Sequence, residues 1–353
     1  VRAAISIFLL VLTAAVARAA PATAFPGAEW ARREPADAGL AKQALAKFAE
    51  SIGGRGVVVR NGAIVYAWGD IEKRGDVASA AKPVYVYFLW TAIEQKRIPS
   101  LDEAVVRYEP RLGNLNALRD HKDRQITWRH LATQSSCYGV SEIPGKAYDY
   151  SDWQLALFWD LLFTKVYEAT PETVDAKVLT PMLAKVLGCQ DEPTFLAFGV
   201  KDRPGRLAIS PRDFARFGLL YLHQGRWKEK QLLDPKLVAT AIGSPLSNDI
   251  PRTADLKAEM LPNQRSIGGK NNQTDHHGSY SYLWWINGVD RDGKRNWPDA
   301  PTDAFAALGH GGKRACVVIP SLDLVVSWND AKINGRDDEN AAFKLLVAAT
   351  TTK

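Results

Sequence analysis

The sequence is poor in cysteine, with only Cys137, Cys189 and Cys316 in 353 residues. Three cysteines at these spacings form neither a disulfide framework nor a zinc-ligand pattern. An exported chain could pair two of them. Cys137 with Cys189 is then the candidate pair, and Cys316, inside an apolar strand-like run, stays unpaired as a small hydrophobe. Long Lys/Arg blocks and interleaved basic and aromatic residues are also missing. The net charge of +6 is therefore scattered, and nucleic-acid binding is not indicated. No apolar run reaches the roughly 20 residues that span a bilayer as a helix. Internal repeats and low-complexity tracts are absent. Without H-E-x-x-H, the run Asp275-His276-His277 reads as solvated loop, and no metal site is expected. The lack of G-x-x-x-x-G-K-[ST] excludes that phosphate-cradling loop, and no cofactor is expected. The lack of G-x-S-x-G argues against the nucleophile elbow of α/β-hydrolases.

What is present starts with an address. Arg2 precedes an apolar run from Ala3 to Val16, and Ala17-Arg18-Ala19 offers small residues where a signal peptidase reads. A cleaved signal over residues 1–19 is expected, with a retained N-terminal anchor as the alternative. Cleavage there removes Arg2 and Arg18 and no acid, which lowers the charge from +6 to +4. The mature protein is then periplasmic or secreted, without a stable membrane span.

The remainder, 20–353, reads as one globular domain with 46% apolar and 24% charged residues. A helix is expected over Pro35–Ser51, with Leu40, Ala44, Leu45 and Phe48 on one face. Asn61-Gly62 between two β-rich runs predicts a hairpin. The run Val84–Ile93 is apolar almost all round, which predicts a helix inside a core. Ser100-Leu101-Asp102-Glu103 reads as a capping box opening the next element. Helical patterns then dominate to about residue 240, with N-caps at Ser151 and Ser210. A long loop region follows over 240–278. Strands are expected at Tyr280–Ile286, Lys313–Ile319 and Leu322–Trp328, and a last helix from Glu339 to Ala348. The order predicts an α+β fold: an antiparallel sheet flanked by helices, with an inserted all-helical subdomain. The sheet part takes about 20–78 and 265–353, the helical part about 79–264.

Three short motifs can carry chemistry. Ser79-Ala80-Ala81-Lys82 puts a hydroxyl and an amine one helical turn apart at a helix N-terminus. Burial of the helix behind them favours a neutral Lys82 amine able to take the serine proton. Free N–H groups and the positive dipole end meet developing negative charge. Taken alone, the same residues are an N-cap serine and a surface lysine. Tyr150-Ser151-Asp152 opens a helix, and Gly309-His310-Gly311-Gly312-Lys313 precedes a strand, where glycines permit close approach of backbone and substrate.

In this order the motifs resemble those of the serine β-lactamase and penicillin-binding-protein superfamily, in particular its class C-like branch. That family carries S-x-x-K, Y-x-N and a K-T-G or H-x-G triplet. Ile126-Thr127-Trp128-Arg129-His130-Leu131-Ala132-Thr133, Leu207-Ala208-Ile209-Ser210-Pro211-Arg212-Asp213-Phe214-Ala215-Arg216-Phe217-Gly218 and Tyr282-Leu283-Trp284-Trp285 are similar to further family segments. The resemblance runs from about Arg55 to the C-terminus. It implies that Ser79 is the acylated nucleophile and that Lys82 and Tyr150 move the protons. It also implies an oxyanion hole from the N–H groups of Ser79 and Lys313, with His310, Gly311 and Gly312 along the substrate edge. One position departs: Asp152 stands where the family has asparagine. An ionised carboxylate only accepts hydrogen bonds and favours a charged Lys82, which shifts weight to Tyr150 as proton acceptor. Alternatively, Asp152 serves the helix N-terminus. The expected function is metal-free hydrolysis of a small-molecule or peptide-like ester or amide through an acyl-enzyme. The alternative is a penicillin-binding-type sensor or ligand-binding protein with impaired turnover.

Overall fold

The computed structural model describes residues 25–268 and 274–351. The signal-peptide reading lies outside the described residues. Ten strands are present: β1 Arg55–Arg60, β2 Ala63–Trp68, β3 Gly75–Asp76, β4 Ala208–Ile209, β5 Arg226–Trp227, β6 Lys230–Gln231, β7 Trp285–Ile286, β8 Phe305–Gly309, β9 Arg314–Ile319 and β10 Leu324–Asn329. The helices are α1 Lys42–Ile52, α2 Lys82–Glu94, α3 Trp128–Ala132, α4 Asp152–Trp159, α5 Lys185–Leu187, α6 Pro211–Leu222, α7 Pro235–Gly243 and α8 Arg336–Ala348.

The main sheet is antiparallel, in the order β2-β1-β10-β9-β8-β7. Both chain ends supply it, as expected. Asn61 and Gly62 turn the first hairpin with φ of 51° and 68°, the left-handed pair that a two-residue hairpin turn requires. Strand side chains alternate between two apolar layers. Val57 and Val59 of β1, Cys316 and Val318 of β9 and Val325 of β10 join α2 and α6 in one cluster. Val58, Val317 and Val326 join α1 and α8 in the other. A sheet covered on both faces explains why these strands read as nearly continuous apolar runs.

Helix α2 runs through the centre of the first cluster. Val84, Phe88, Leu89 and Trp90 are all fully buried. At about 1.5–3 kcal/mol per large apolar side chain removed from water, this helix anchors the residues at its N-terminus. The inserted segment is mainly helical, and it also carries the ribbon β5–β6 and strand β4, which pairs with β3.

Several local expectations change. Gly39, in the left-handed region with φ 69°, ends a short turn at Ala36–Ala38, so the helix expected from Pro35 starts only at Lys42. The Ser100–Glu103 box opens no helix. Ser100 Oγ accepts from the Asp102 N–H, and the Asp102 carboxylate pairs with Arg129. Tyr280–Ile286 is strand only at its last two residues, because Ser281–Trp284 turns back on itself with Leu283 at φ 59°. Strand β8 was not anticipated. The cysteines are all free, so the Cys137–Cys189 pairing is corrected: Cys137 Sγ donates to the carbonyls of Ser135 and Ala147. Among the described residues no helix is long and apolar enough to cross a membrane, and no cluster of His, Cys, Asp and Glu could hold a metal.

Candidate active site

Ser79 sits on the turn Ala78–Ala81 that runs directly into α2. Lys82, the first residue of α2, is 2% exposed and points back along that turn. Its Nζ donates to Ser79 Oγ at 2.8 Å and to Tyr150 OH at 2.9 Å. It also stands 4.4 Å from the centroid of the Tyr150 ring. A lysine is buried this fully only when its donors are spent on partners. Tyr150 arrives from the far side of the insertion, just before α4, whose N-cap Ser151 accepts from the Trp153 N–H. Tyr280, Trp285 and Tyr148 pack around its ring with centroids 5.9, 6.3 and 6.3 Å away. The phenol is thereby fixed in one orientation.

Asp152 meets both of its sequence readings. It is the first residue of α4, and its Oδ1 lies 3.9 Å from Lys82 Nζ with both side chains buried. Loop residue Gly268 lies across the carboxylate. A Cβ there would fall 1.6 Å from Asp152 Oδ2, so any larger residue would push the carboxylate aside. Lys82 Nζ is the side-chain group hydrogen-bonded to Ser79 Oγ among the described residues, and Tyr150 touches Nζ from its other side.

The end of β8 forms the opposite wall. A Cβ on Gly309 would come 2.2 Å from Val77 O and 3.3 Å from Ser79 N. Glycine is therefore required where the strand meets the nucleophile turn. Strand β7 pairs with β8 only at Phe305 and Ala306, and Asn287 N–H donates to Ala304 O. Peptide groups alternate between strand edges, so the Gly309 carbonyl faces β9, where Gly309 pairs with Arg314. The trans peptide then turns the His310 N–H to the opposite edge of the strand.

Lys313 is the one expected site residue that the structure does not bring in. It closes the turn from β8 to β9, its carbonyl accepts from Ala331 N–H, and it does not line the cavity. The turn takes His310–Lys313, between the end of β8 at Gly309 and the start of β9 at Arg314. His310, Gly311 and Gly312 do line the cavity. Arg314 donates to His310 Nδ1 at 2.8 Å, which leaves the ring proton on Nε2. Partial burial, then Arg314 and Lys313, hold the imidazole below its ordinary pKa.

These walls enclose a cavity of about 670 Å³, with Ser79, Lys82, Tyr150 and Asp152 at one side. Such a volume suits a small molecule or a short peptide. Sequence reasoning missed several of its residues. Arg203 and Arg206 enter from the loop before β4, paired with Asp202 and Asp76 respectively. Arg336 and Glu339 come from the first turn of α8, and Asn296 from the loop before β8. No local motif marks them; only the fold brings them to one place. Trp285 lines the cavity, and Trp284 is fully buried in the core. The histidines divide. His276 is buried, with Nδ1 accepting from Gly278 N–H, whereas His277 lines the cavity. His130 bonds locally to Thr127, but His223 Nε2 is buried with no partner among the described residues.

The chain has a β-lactamase-like fold. A putative β-lactamase from Bacteroides dorei superposes with a TM-score of 0.58 at 14% identity, covering 88% of this chain and 98% of that one. A putative 6-aminohexanoate-dimer hydrolase from Bacillus anthracis gives 0.58 at 15% identity, over 92% and 86%. D-alanine carboxypeptidase AmpC from Burkholderia cenocepacia gives 0.56 at 13% identity, over 87% and 97%. No protein-family model and no curated protein matches the sequence.

Proposed function

We propose that this protein is an exported serine hydrolase that cleaves an ester or amide bond of a small-molecule or peptide-like substrate through a Ser79 acyl-enzyme. The observation that carries this reading is the placement of Lys82 Nζ between Ser79 Oγ and Tyr150 OH, at 2.8 and 2.9 Å. A serine hydroxyl attacks a carbonyl only when its proton has somewhere to go. In the reactive form the Lys82–Tyr150 pair is one proton short. Ser79 Oγ bonds to the carbonyl carbon while its proton passes to Nζ. The pair returns a proton, through Tyr150 OH or Nζ, to the departing alcohol or amine as its bond to carbon breaks. Water then attacks the acyl carbon by the same relay in reverse and frees Ser79. Asp152, at 3.9 Å, stabilises the ammonium that forms on Lys82 during attack. The N–H groups of Ser79 and His310 are the proposed oxyanion donors, replacing the pairing of Ser79 with Lys313.

Structures with this fold include proteins titled as a hydrolase of an amide dimer and as a D-alanine carboxypeptidase, which supports amide as well as ester substrates. Turnover of p-nitrophenyl acetate and butyrate by the mature protein, with Ser79→Ala alongside, tests the reading. Steady release of p-nitrophenol that disappears in the variant supports it. A burst of one equivalent points to the stalled sensor, and Ser79-independent release removes the proposal.

A further inference from the structure

Two opposite charges of the cavity lining come from one helix turn. Arg336 and Glu339 are three residues apart in the first turn of α8, so they share a face, and both line the cavity. Among the described residues neither is in an ion pair, unlike Lys82, Arg203 and Arg206, whose partners are Asp152, Asp202 and Asp76. Arg336 has only a long bond to Asn296 Oδ1, at 3.4 Å.

Glu339 is 6% exposed, and its Oε2 accepts from Trp297 Nε1 at 3.0 Å. Burial raises the pKa of its carboxyl, while Trp297 and Arg336 work against that shift. Gly312 makes room for it: a Cβ there would meet Glu339 Cγ and Oε1 at 3.0 Å and Ile333 at 2.5 Å. A buried carboxyl beside a cavity is costly unless charges and hydrogen bonds complete it, and Trp297 and Arg336 offset only part of the burial of Glu339.

The same short turn touches both ends of the cavity. Gly309 abuts the Ser79 turn and Gly312 abuts Glu339. Three residue steps span at most about 11 Å, so the charge pair lies within reach of a small substrate acylating Ser79.

We propose that Arg336 and Glu339 form a subsite for a zwitterionic amino-acid end group on the acyl part of the substrate, with its carboxylate on Arg336 and its ammonium on Glu339. Esters and amides of the side-chain carboxyl of an α-amino acid have this form. The inference rests on Ser79 being the acylated residue, and its test separates the two.

Three methyl esters of equal reach serve as probes: glutamate γ-methyl ester, monomethyl glutarate, which lacks the ammonium, and methyl 4-aminobutyrate, which lacks the carboxylate. Calorimetric titration of the Ser79→Ala protein reads binding without turnover. The zwitterion is expected to bind at least about tenfold more tightly than either single-charge ester, the factor a charge-assisted contact supplies. Adding Glu339→Gln, whose amide oxygen still accepts from Trp297, brings it down to the glutarate ester. Adding Arg336→Gln, at a half-buried position, brings it down to the aminobutyrate ester. Equal binding of all three esters, or a preference that survives both substitutions, overturns the subsite. Methanol release by the unsubstituted protein reports separately on catalysis. A Ser79-dependent reaction with no advantage for the zwitterion sinks the subsite alone, whereas absence of any Ser79-dependent ester cleavage sinks the hydrolase reading.

Discussion

Lys82 Nζ and Asp152 Oδ1 lie 3.9 Å apart with both side chains nearly fully buried, so the two charges are one structural unit as well as part of one proton relay. Removing only the cation takes Lys82 away from a buried carboxylate. Lys82→Met is expected to cost about 3–5 kcal/mol of stability, and the double variant Lys82→Met with Asp152→Asn to recover part of it. Chemical denaturation of the two proteins checks this. Equal stabilities would mean that the Asp152 carboxylate carries no penalty once Lys82 is removed, which would contradict the assignment.

Asp152→Asn alone, nearly isosteric, tests the same residue in catalysis. The carboxylate is assigned to the ammonium that forms during attack, so kcat should fall at least about tenfold with KM changed far less. Steady-state kinetics on p-nitrophenyl butyrate gives the split. An unchanged or increased kcat would mean that Asp152 serves only the start of α4.

Gly309→Ala probes the contact between strand and nucleophile. Its Cβ would overlap Val77 O and crowd Ser79 N, and neither backbone group can move without displacing Ser79. A stability loss of about 1–3 kcal/mol is expected, together with a drop in kcat of about a hundredfold as the oxyanion donors part. An active Gly309→Ala protein would place the oxyanion site elsewhere.

The parts legible in the sequence were those written locally. The Asn61-Gly62 hairpin, the buried helix from Lys82 and the Ser79–Lys82 spacing each depend on neighbours in the chain, and the structure places them as expected. Strand β8 was hidden because Phe305-Ala306-Ala307-Leu308-Gly309 is rich in alanine, a poor strand former, and is stabilised by pairing with β9 rather than by propensity. The misplacement of Lys313 followed from that omission: without β8, the hairpin turn reads as the start of the substrate strand. Arg203, Arg206, Arg336 and Glu339 had no signal at all, since their role comes from long-range packing of loops and α8 around one cavity.

His223 gives a pH-dependent prediction. Burial, helped by Arg226, pushes its imidazole pKa down to about 4, and Phe25 packs edge-on at 4.7 Å. The unfolded chain, with an ordinary histidine near 6.5, binds the proton more readily. Stability is therefore complete above about pH 6.5 and falls as pH drops toward 4, by at most about 3 kcal/mol from this residue. Melting curves between pH 7 and 4.5 should show a shallower decline in His223→Gln, and parallel declines would contradict the assignment.

The most direct test of the central claim is intact-protein mass spectrometry on rapidly quenched mixtures with p-nitrophenyl butyrate, followed by peptide mapping. The account predicts a transient gain of one butyryl group per chain, carried on Ser79 and absent from Ser79→Ala. Turnover without any acyl adduct, or an adduct on another residue with Ser79→Ala still active, would contradict it.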